Sequence, residues 1–160
     1  MDNLRQNGHF YFIDDSFFVR FSGTNLMINH ISDDTGSHNR PYLYCFTDKN
    51  GLSWYVPISS QINKYQSIYN QKTQNNKKCD TITFHNVLYR NRAFLIQNMC
   101  PITDNYIINE YLENNSSVTV TKSTFIDVKQ KSIKMLSLQR KGNRYLLTNV
   151  LKIEQELLGI

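Results

Sequence analysis

The stretch Pro41-Tyr42-Leu43-Tyr44-Cys45-Phe46-Thr47-Asp48-Lys49-Asn50-Gly51-Leu52-Ser53-Trp54-Tyr55-Val56-Pro57-Ile58-Ser59 decides the fold class. Pro41 to Thr47 alternates as a strand, Asp48 to Gly51 supplies turn residues, and Leu52 to Ser59 is a second strand. Asn50-Gly51 suits a tight reversal because both residues tolerate positive φ. On the second strand Leu52, Trp54, Val56 and Ile58 share one face, and Ser53, Tyr55 and Ser59 share the other. The pattern predicts an antiparallel hairpin with a core face and a polar face, Ser59 emerging at the strand end on the polar side.

Outward from this hairpin, His9 to Ile13 reads as a short strand. Asp14-Asp15-Ser16 offers cap chemistry for a brief helix through Phe17, Phe18 and Phe21, ending near Gly23. Residues 29–40 are rich in turn formers and predict a loop. On the other side, Lys64 to Asn70 predicts one or two helical turns and Gln71 to Lys78 a basic loop. Thr81 to Tyr89 and Ala93 to Met99 are β-rich, with Arg90-Asn91-Arg92 turning between them. Tyr106 to Leu112 fits strand or helix, and Val118 to Thr121 fits a short strand.

Beyond Thr121 the pattern changes to a helical period. Thr124 with Asp127 has the form of a capping box, and Phe125, Val128, Ile133 and Leu136 follow at helical spacing as far as Arg140. Gly142 is a natural stop and Asn143 a cap for a second helix, on which Leu147, Val150, Leu151, Leu157 and Leu158 form a stripe. The expected architecture is α+β, a β-rich body carrying two C-terminal helices. No repeat or low-complexity linker divides the chain, so residues 1–160 are expected to form a single domain.

Composition narrows the function classes. Hydrophobic residues at 40% and aromatic residues at 12% suffice for a packed interior, which argues against wholesale disorder. A formal charge of +5 makes a polyanion a plausible partner. Cys45, Cys79 and Cys100 are odd in number and lack a CxxC spacing, as expected of isolated buried thiols in a reducing cytoplasm. Met1 to Gly8 is polar, and no apolar run approaches the roughly 20 residues that span a bilayer, so a soluble, cytoplasmic protein without a membrane partner is expected. There is no P-loop, Rossmann fingerprint, HExxH, zinc-finger spacing or GxSxG elbow. His9, His30, His38 and His85 show no metal-ligand spacing, and no metal or cofactor is expected.

What remains is Tyr55-Val56-Pro57-Ile58-Ser59-Ser60-Gln61-Ile62-Asn63-Lys64-Tyr65, with two adjacent hydroxyls, an amide, a lysine and a tyrosine at a strand end. Hydroxyls and a strand-end N–H can grip phosphate oxygens, while Lys64 supplies positive charge to a phosphorane-like transition state. RNA suits such a site because its 2′-OH is an internal nucleophile that need only be oriented and deprotonated. The plainer alternative is that Ser59 and Ser60 finish a strand and Lys64 is solvated. From Lys122 onward eight basic residues (Lys122, Lys129, Lys131, Lys134, Arg140, Lys141, Arg144, Lys152) face three acidic ones (Asp127, Glu154, Glu156). A helix with an apolar stripe and a basic opposite face can track a phosphate backbone, although a solvated surface explains the same charges.

The order Asn39-Arg40-Pro41-Tyr42, strand, turn with Gly51, strand, Pro57-Ile58-Ser59-Ser60, Lys64-Tyr65 resembles the toxins of type III toxin–antitoxin systems. These are the ToxN/AbiQ and TenpN groups, and the likeness is nearest to the CptN kind. The opening Phe10-Tyr11 strand and the helix after it fit as well. The similarity runs from residue 9 to the last helix, with its specific part in residues 39–65. It implies a compact, highly twisted antiparallel sheet of the MazF/Kid kind with peripheral helices and the two C-terminal ones. It also implies a metal-independent endoribonuclease leaving a 2′,3′-cyclic phosphate, which processes and is inhibited by its own small repeat RNA antitoxin. That RNA is expected to be a pseudoknot, held in a closed toxin–RNA hetero-oligomer, with cellular mRNA as target, phage defence as one outcome and no protein antitoxin.

By position, the resemblance assigns Ser59 and Ser60 to the family's hydroxyl pair, Lys64 to its lysine and Arg40 to the arginine of Arg-Pro-Tyr. Gln61-Ile62-Asn63 intervene before Lys64 where the ToxN branch has one residue, and Phe17 stands where that branch has a tyrosine. Tyr65, Tyr11 and His85 are candidates for the missing proton-transfer or stacking function. Ser59, Ser60, Lys64, Arg40 and His85 are thus the expected catalytic set. Tyr11, Phe17, Arg20, Tyr65, Lys72, Lys77, Lys78, Lys122, Lys129, Lys131, Lys134, Arg140, Lys141 and Arg144 are the expected RNA contacts. A non-catalytic RNA-binding protein is the alternative, and a structural interaction protein a third.

Overall fold

The computed structural model describes residues 5–160, so the polar start at Met1 to Leu4 lies outside the described residues. In chain order the main elements are β1 (Phe10–Ile13), α1 (Asp15–Arg20), β2 (His30–Asp33), β3 (Gly36–Asn39), β4 (Tyr42–Thr47), β5 (Ser53–Ser59), α2 (Ile62–Lys72), β6 (Ile82–Val87) and β7 (Arg90–Leu95). There follow β8 (Cys100–Ile102), β9 (Ile107–Glu110), the small pair β10 (Leu112–Glu113) and β11 (Ser116–Ser117), then α3 (Lys122–Arg140) and α4 (Val150–Leu158). The result is a mixed α+β arrangement with an antiparallel sheet of order β6-β7-β5-β4-β1-β9, β8 pairing β5 beside β7.

The β4–β5 hairpin forms where the alternation and Asn50-Gly51 predict it, Tyr42 opposite Pro57 and Thr47 opposite Ser53, with an irregularity between Tyr44 and Phe46. Its expected polar face is corrected. Every residue of β5 is buried, because the strand sits between β4 and the β7–β8 edge and is covered on both sides. Trp54, Val56 and Ile58 join a core with Phe94, Val128, Met135 and Leu136, under α3. Tyr55 joins the opposite core with Tyr11, Ile13, Phe17, Phe21 and Tyr42, under α1. Ser53 and Ser59 are small enough to be enclosed, and a small hydroxyl in a central strand looks like a solvent position in sequence. A third cluster, Tyr65, Cys79, Ile82, Ala93 and Leu95, seats α2 on β6 and β7. The three thiols are free and buried.

Other expectations shift for identifiable reasons. Residues 29–40 form not a loop but the β2–β3 hairpin, Asp33 opposite Gly36, with the turn formers concentrated at its tip. Arg90 and Arg92 are strand residues. The reversal falls two residues earlier at Leu88-Tyr89, both at positive φ (52° and 64°). The cap of α3 is Thr121, whose hydroxyl accepts from the Thr124 N–H at 3.3 Å, and not Thr124. That of α4 is Asn149, not Asn143, which leaves Leu147 outside the helix and exposed. Val118 to Thr121 makes a single bridge, His9 to Thr119, and α2 runs longer than expected. The ambiguous segment, Tyr106 to Leu112, is mainly strand, with β9 over Ile107–Glu110 and β10 beginning at Leu112.

Candidate functional site

Pairing of Ile58 with Phe94 and Ser59 with Ala93 ends the β5–β7 ladder at the start of α2. Carried one step further, that register sets Ser60 opposite Arg92, and residues two apart on a strand share a face. The turn into α2 is closed by the Gln61 N–H donating to Ser59 Oγ at 3.1 Å and the Ile62 N–H donating to the Ser60 carbonyl at 2.8 Å. The first N–H groups of a helix lack intrahelical acceptors. Here no side chain caps them, no acidic residue stands in the first turn, and Lys64 does. A cation at a helix N-terminus opposes the helix dipole, whereas an anion is stabilised there by about 0.3–1 kcal/mol. The Ile62 N–H is already taken by the Ser60 carbonyl, which leaves the N–H groups of Asn63 and Lys64 as the uncapped donors of the first turn.

Ser59 and Ser60 line a cavity of about 520 Å³, within the size range of small-ligand sites. Arg90, Arg92 and Tyr89 at the tip of the β6–β7 hairpin line it as well, with Asp33, Thr35 and His38 from the β2–β3 hairpin. Arg92 donates to Asp34 Oδ1 at 3.0 Å, and an Arg90 nitrogen lies 3.6 Å from Asp34 Oδ2. Burial pushes the Asp33 carboxyl up. Hydrogen bonds from the Thr35 hydroxyl and N–H and from His38 outweigh that and bring it down to about 2. His38 Nδ1 lies 2.7 Å from the Asn39 carbonyl, which can only accept, so that nitrogen carries a hydrogen.

Of the expected catalytic set, Ser59 and Ser60 lie together on this cavity and the other three side chains do not line it. Lys64 is exposed on the first turn of α2, its ammonium 5.3 Å from the Tyr65 ring centroid. Arg40 is 6% exposed and donates to the backbone carbonyls of Ile28 (3.0 Å) and Ile58 (2.9 Å). Burial pushes its guanidinium down from the ordinary value. It clamps β4 to the end of β5 and does not reach the cavity, which corrects its expected catalytic contact. His85 is held between β6 and α3, Nε2 at 2.8 Å from Asp127 and Nδ1 at 3.2 Å from the Thr124 hydroxyl. The partnership with Asp127 explains its position as a tie between helix and sheet.

Several expected RNA contacts are interior or engaged. Tyr11, Phe17 and Tyr65 are at most 5% exposed and pack in the cores, so their rings cannot stack on a base where they stand. Arg20 bonds the Tyr106 hydroxyl at 2.8 Å and the Glu156 carbonyl, and Lys72 contacts Thr81 and Gln97. Lys77 and Lys78 are exposed. On α3, Lys131 pairs with Asp127, Lys134 with Asp80 and Arg140 with Glu154, while Lys129 lies over the Phe125 ring. At about 100° per residue, Lys122, Lys129 and Arg140 flank one side of the buried stripe, Lys131 flanks the other, and Lys134 lies on the opposite face. The carboxylates of Asp127, Asp80 and Glu154 already hold Lys131, Lys134 and Arg140. Lys122, Lys141 and Arg144 are exposed.

Arg90, Arg92, Tyr89 and His38 are the cavity residues that sequence reasoning missed. The signal available was Arg90, Arg92 and Phe94 at alternate positions of one strand. Among the described residues no group of three or more His, Cys, Asp or Glu side chains is placed to hold a metal ion. No described helix is long and apolar enough to cross a membrane.

No family model matches the chain, and no curated protein matches it in sequence. Among solved structures it is similar to one of a bacterial type III toxin–antitoxin system, in which a non-coding RNA pseudoknot selectively inhibits the toxin. That likeness has 15% identity and a TM-score of 0.44, covering 94% of this chain and 73% of the other. It is also similar to AbiQ, a lactococcal anti-phage endoribonuclease belonging to the type III toxin–antitoxin system. Here identity is 15% and the TM-score 0.47, covering 85% of this chain and 76% of that one. At such identities the chemistry of this chain has to come from its own residues.

Proposed function

We propose that the chain is an endoribonuclease toxin of the type III toxin–antitoxin kind, cutting RNA by attack of the 2′-OH on the adjacent phosphorus. The observation that carries it is the β5–α2 junction, where Ser59, Ser60 and an uncapped helix N-terminus adjoin a cavity that also holds two arginines. The scissile phosphate sits against the Ser60 hydroxyl and the N–H groups of Asn63 and Lys64. Lys64, on its four-carbon stem, swings from the Tyr65 ring to the phosphate and stabilises the charge that builds on its oxygens. Ser59, whose Oγ already accepts from Gln61, shapes the turn and need not touch the phosphate.

The 2′-OH gives its proton to water and its oxygen bonds to phosphorus as the P–O5′ bond breaks; the 5′-oxygen takes a proton from water, giving a 2′,3′-cyclic phosphate and a 5′-hydroxyl. No metal takes part in this scheme. The partner is a small repeat RNA, expected to be a pseudoknot, which the chain trims from its precursor and then binds in a closed assembly; cellular mRNA is the target, in the cytoplasm.

Lys64→Ala and Ser60→Ala variants test the scheme. Each is expected to fold, to lose toxicity in cells and to cut RNA roughly 100-fold more slowly, the size of a lost oxyanion donor. Wild-type cutting by both would remove the junction from the chemistry. A non-catalytic RNA binder is the second reading, favoured by the engagement of Ser59 Oγ within its own turn. It predicts RNA recovered intact and bound in a salt-sensitive way.

A further inference from the structure

The tip of the β6–β7 hairpin is unusual for its sequence. A two-residue reversal with both φ positive ordinarily takes Asn, Asp or Gly, because a Cβ crowds the backbone there. Leu88 and Tyr89 occupy it instead; Leu88 is 37% exposed and lines the cavity, but Tyr89 is fully exposed (101%), so no packing compensates the conformation there. Strain kept without a structural return concentrates at functional positions. The residues that follow, Arg90 and Arg92, point their charge at one carboxylate, Asp34 at the tip of the β2–β3 hairpin. Asp34 is 54% and Arg90 46% exposed on the side chain, so that pair contributes little net stability, whereas Arg92, 11% exposed, makes the more enclosed bond. A phosphodiester offers the same two oxygens to the same donors.

We propose that the cavity between the two hairpins holds a nucleotide of single-stranded RNA next to the scissile phosphate, its base stacked on Tyr89 and its own phosphate on Arg90 and Arg92 in place of the Asp34 carboxylate. This rests on the β5–α2 junction, beside Arg92 on the same cavity, being the phosphate site. Three observations converge on it: an exposed ring, two guanidiniums and a pair of serines bordering one space of about 520 Å³. A base needs an aromatic face, a backbone needs cations, and unpaired RNA supplies both partners at one-nucleotide spacing. Asp34 then acts as an internal occupant that the RNA displaces.

The test uses the full chain and a fluorescein-labelled 12-nucleotide RNA of mixed sequence, 2′-O-methylated so that it cannot be cut. Its binding is followed by anisotropy at low salt and at about 0.15 M salt, beside cutting of the unmodified RNA. Tyr89→Ala is expected to weaken binding at least about fivefold, the low end of base–aromatic stacking, and Tyr89→Phe to bind as wild type. Asp34→Asn is expected to tighten binding by more than twofold at about 0.15 M salt, beyond the gain from Glu156→Gln, which removes one carboxylate outside the cavity. Wild-type affinity in Tyr89→Ala, or no gain in Asp34→Asn beyond that of Glu156→Gln with the fold intact, overturns the proposal while leaving the cutting reaction standing. Binding that changes as expected without any cutting would instead refute the catalytic scheme, and a wild-type chain that binds no RNA refutes both.

Discussion

Replacing Arg40 with methionine separates a structural arginine from a catalytic one. The guanidinium donates to Ile28 O at 3.0 Å and to Ile58 O at 2.9 Å, from a residue 6% exposed. Methionine keeps the length of the stem but leaves two buried carbonyls without these donors. A hydrogen bond to a charged group contributes roughly 1.5–3 kcal/mol, and removing the buried charge returns part of its desolvation cost. The expected net loss is about 2–4 kcal/mol. The chain has a single tryptophan, and Trp54 is fully buried with its indole N–H on Asp48 at 2.8 Å, so its fluorescence reports unfolding. With a urea slope of about 2 kcal/mol/M, the midpoint should fall by about 1–2 M. Arg40→Lys cannot donate along both directions from one rigid fork and should recover only part of the loss. A midpoint within about 0.3 M of wild type at an unchanged slope would refute the clamp and return Arg40 to the candidate catalytic set.

Acid titration should expose Asp33. Its folded value of about 2 lies below the ordinary carboxylate value, so its stabilisation is complete above about pH 4 and is lost as the pH falls through about 2. Asp33→Asn should lose about 2 kcal/mol near neutral pH and flatten the stability profile between those values, and parallel wild-type and variant profiles would contradict this. Arg140 holds Glu154 with two bonds of 2.6 and 2.7 Å and thereby ties α3 to α4. Arg140→Ala leaves a carboxylate 10% exposed and should lower Tm by roughly 4–8 °C in calorimetry, most of which Arg140→Ala/Glu154→Gln should restore. Gly142 ends α3 at φ +98° in open space, so Gly142→Ala should cost about 1 kcal/mol through backbone conformation alone, read from the same urea curves.

The parts of the fold that sequence made legible are those where side-chain alternation and turn chemistry agree. The β4–β5 hairpin has both, and so do β1 and the Asp14-capped α1. The β2–β3 hairpin has only the turn chemistry. Its strands show no fully buried residue, so no apolar period marks them. The β6–β7 reversal fails in the opposite way: its turn carries Leu88 and Tyr89, residues that read as strand, while the polar Arg90-Asn91-Arg92 reads as turn. β5 misled because enclosed serines and exposed serines look alike in a one-dimensional pattern.

The candidate site divides along the same line. Ser59 and Ser60 were legible because a hydroxyl pair follows a recognisable strand end. Arg90, Arg92 and His38 reach the cavity only through pairing of segments far apart in sequence, which spacing does not encode. Tyr11, Phe17 and Tyr65 carry groups suited to RNA, but burial is a property of the whole fold. His85 sits beside Asp127 for the same reason, brought there by α3 and not by any local motif.

The central claim is most directly tested by the ends of the RNA. Purified chain is incubated with single-stranded RNA in excess chelator, and the products are resolved by end-group chemistry. Fragments carrying 2′,3′-cyclic phosphate and 5′-hydroxyl ends, formed roughly 100-fold more slowly with Lys64→Ala, are predicted. Intact RNA, or fragments with 3′-hydroxyl and 5′-phosphate ends, would contradict the account.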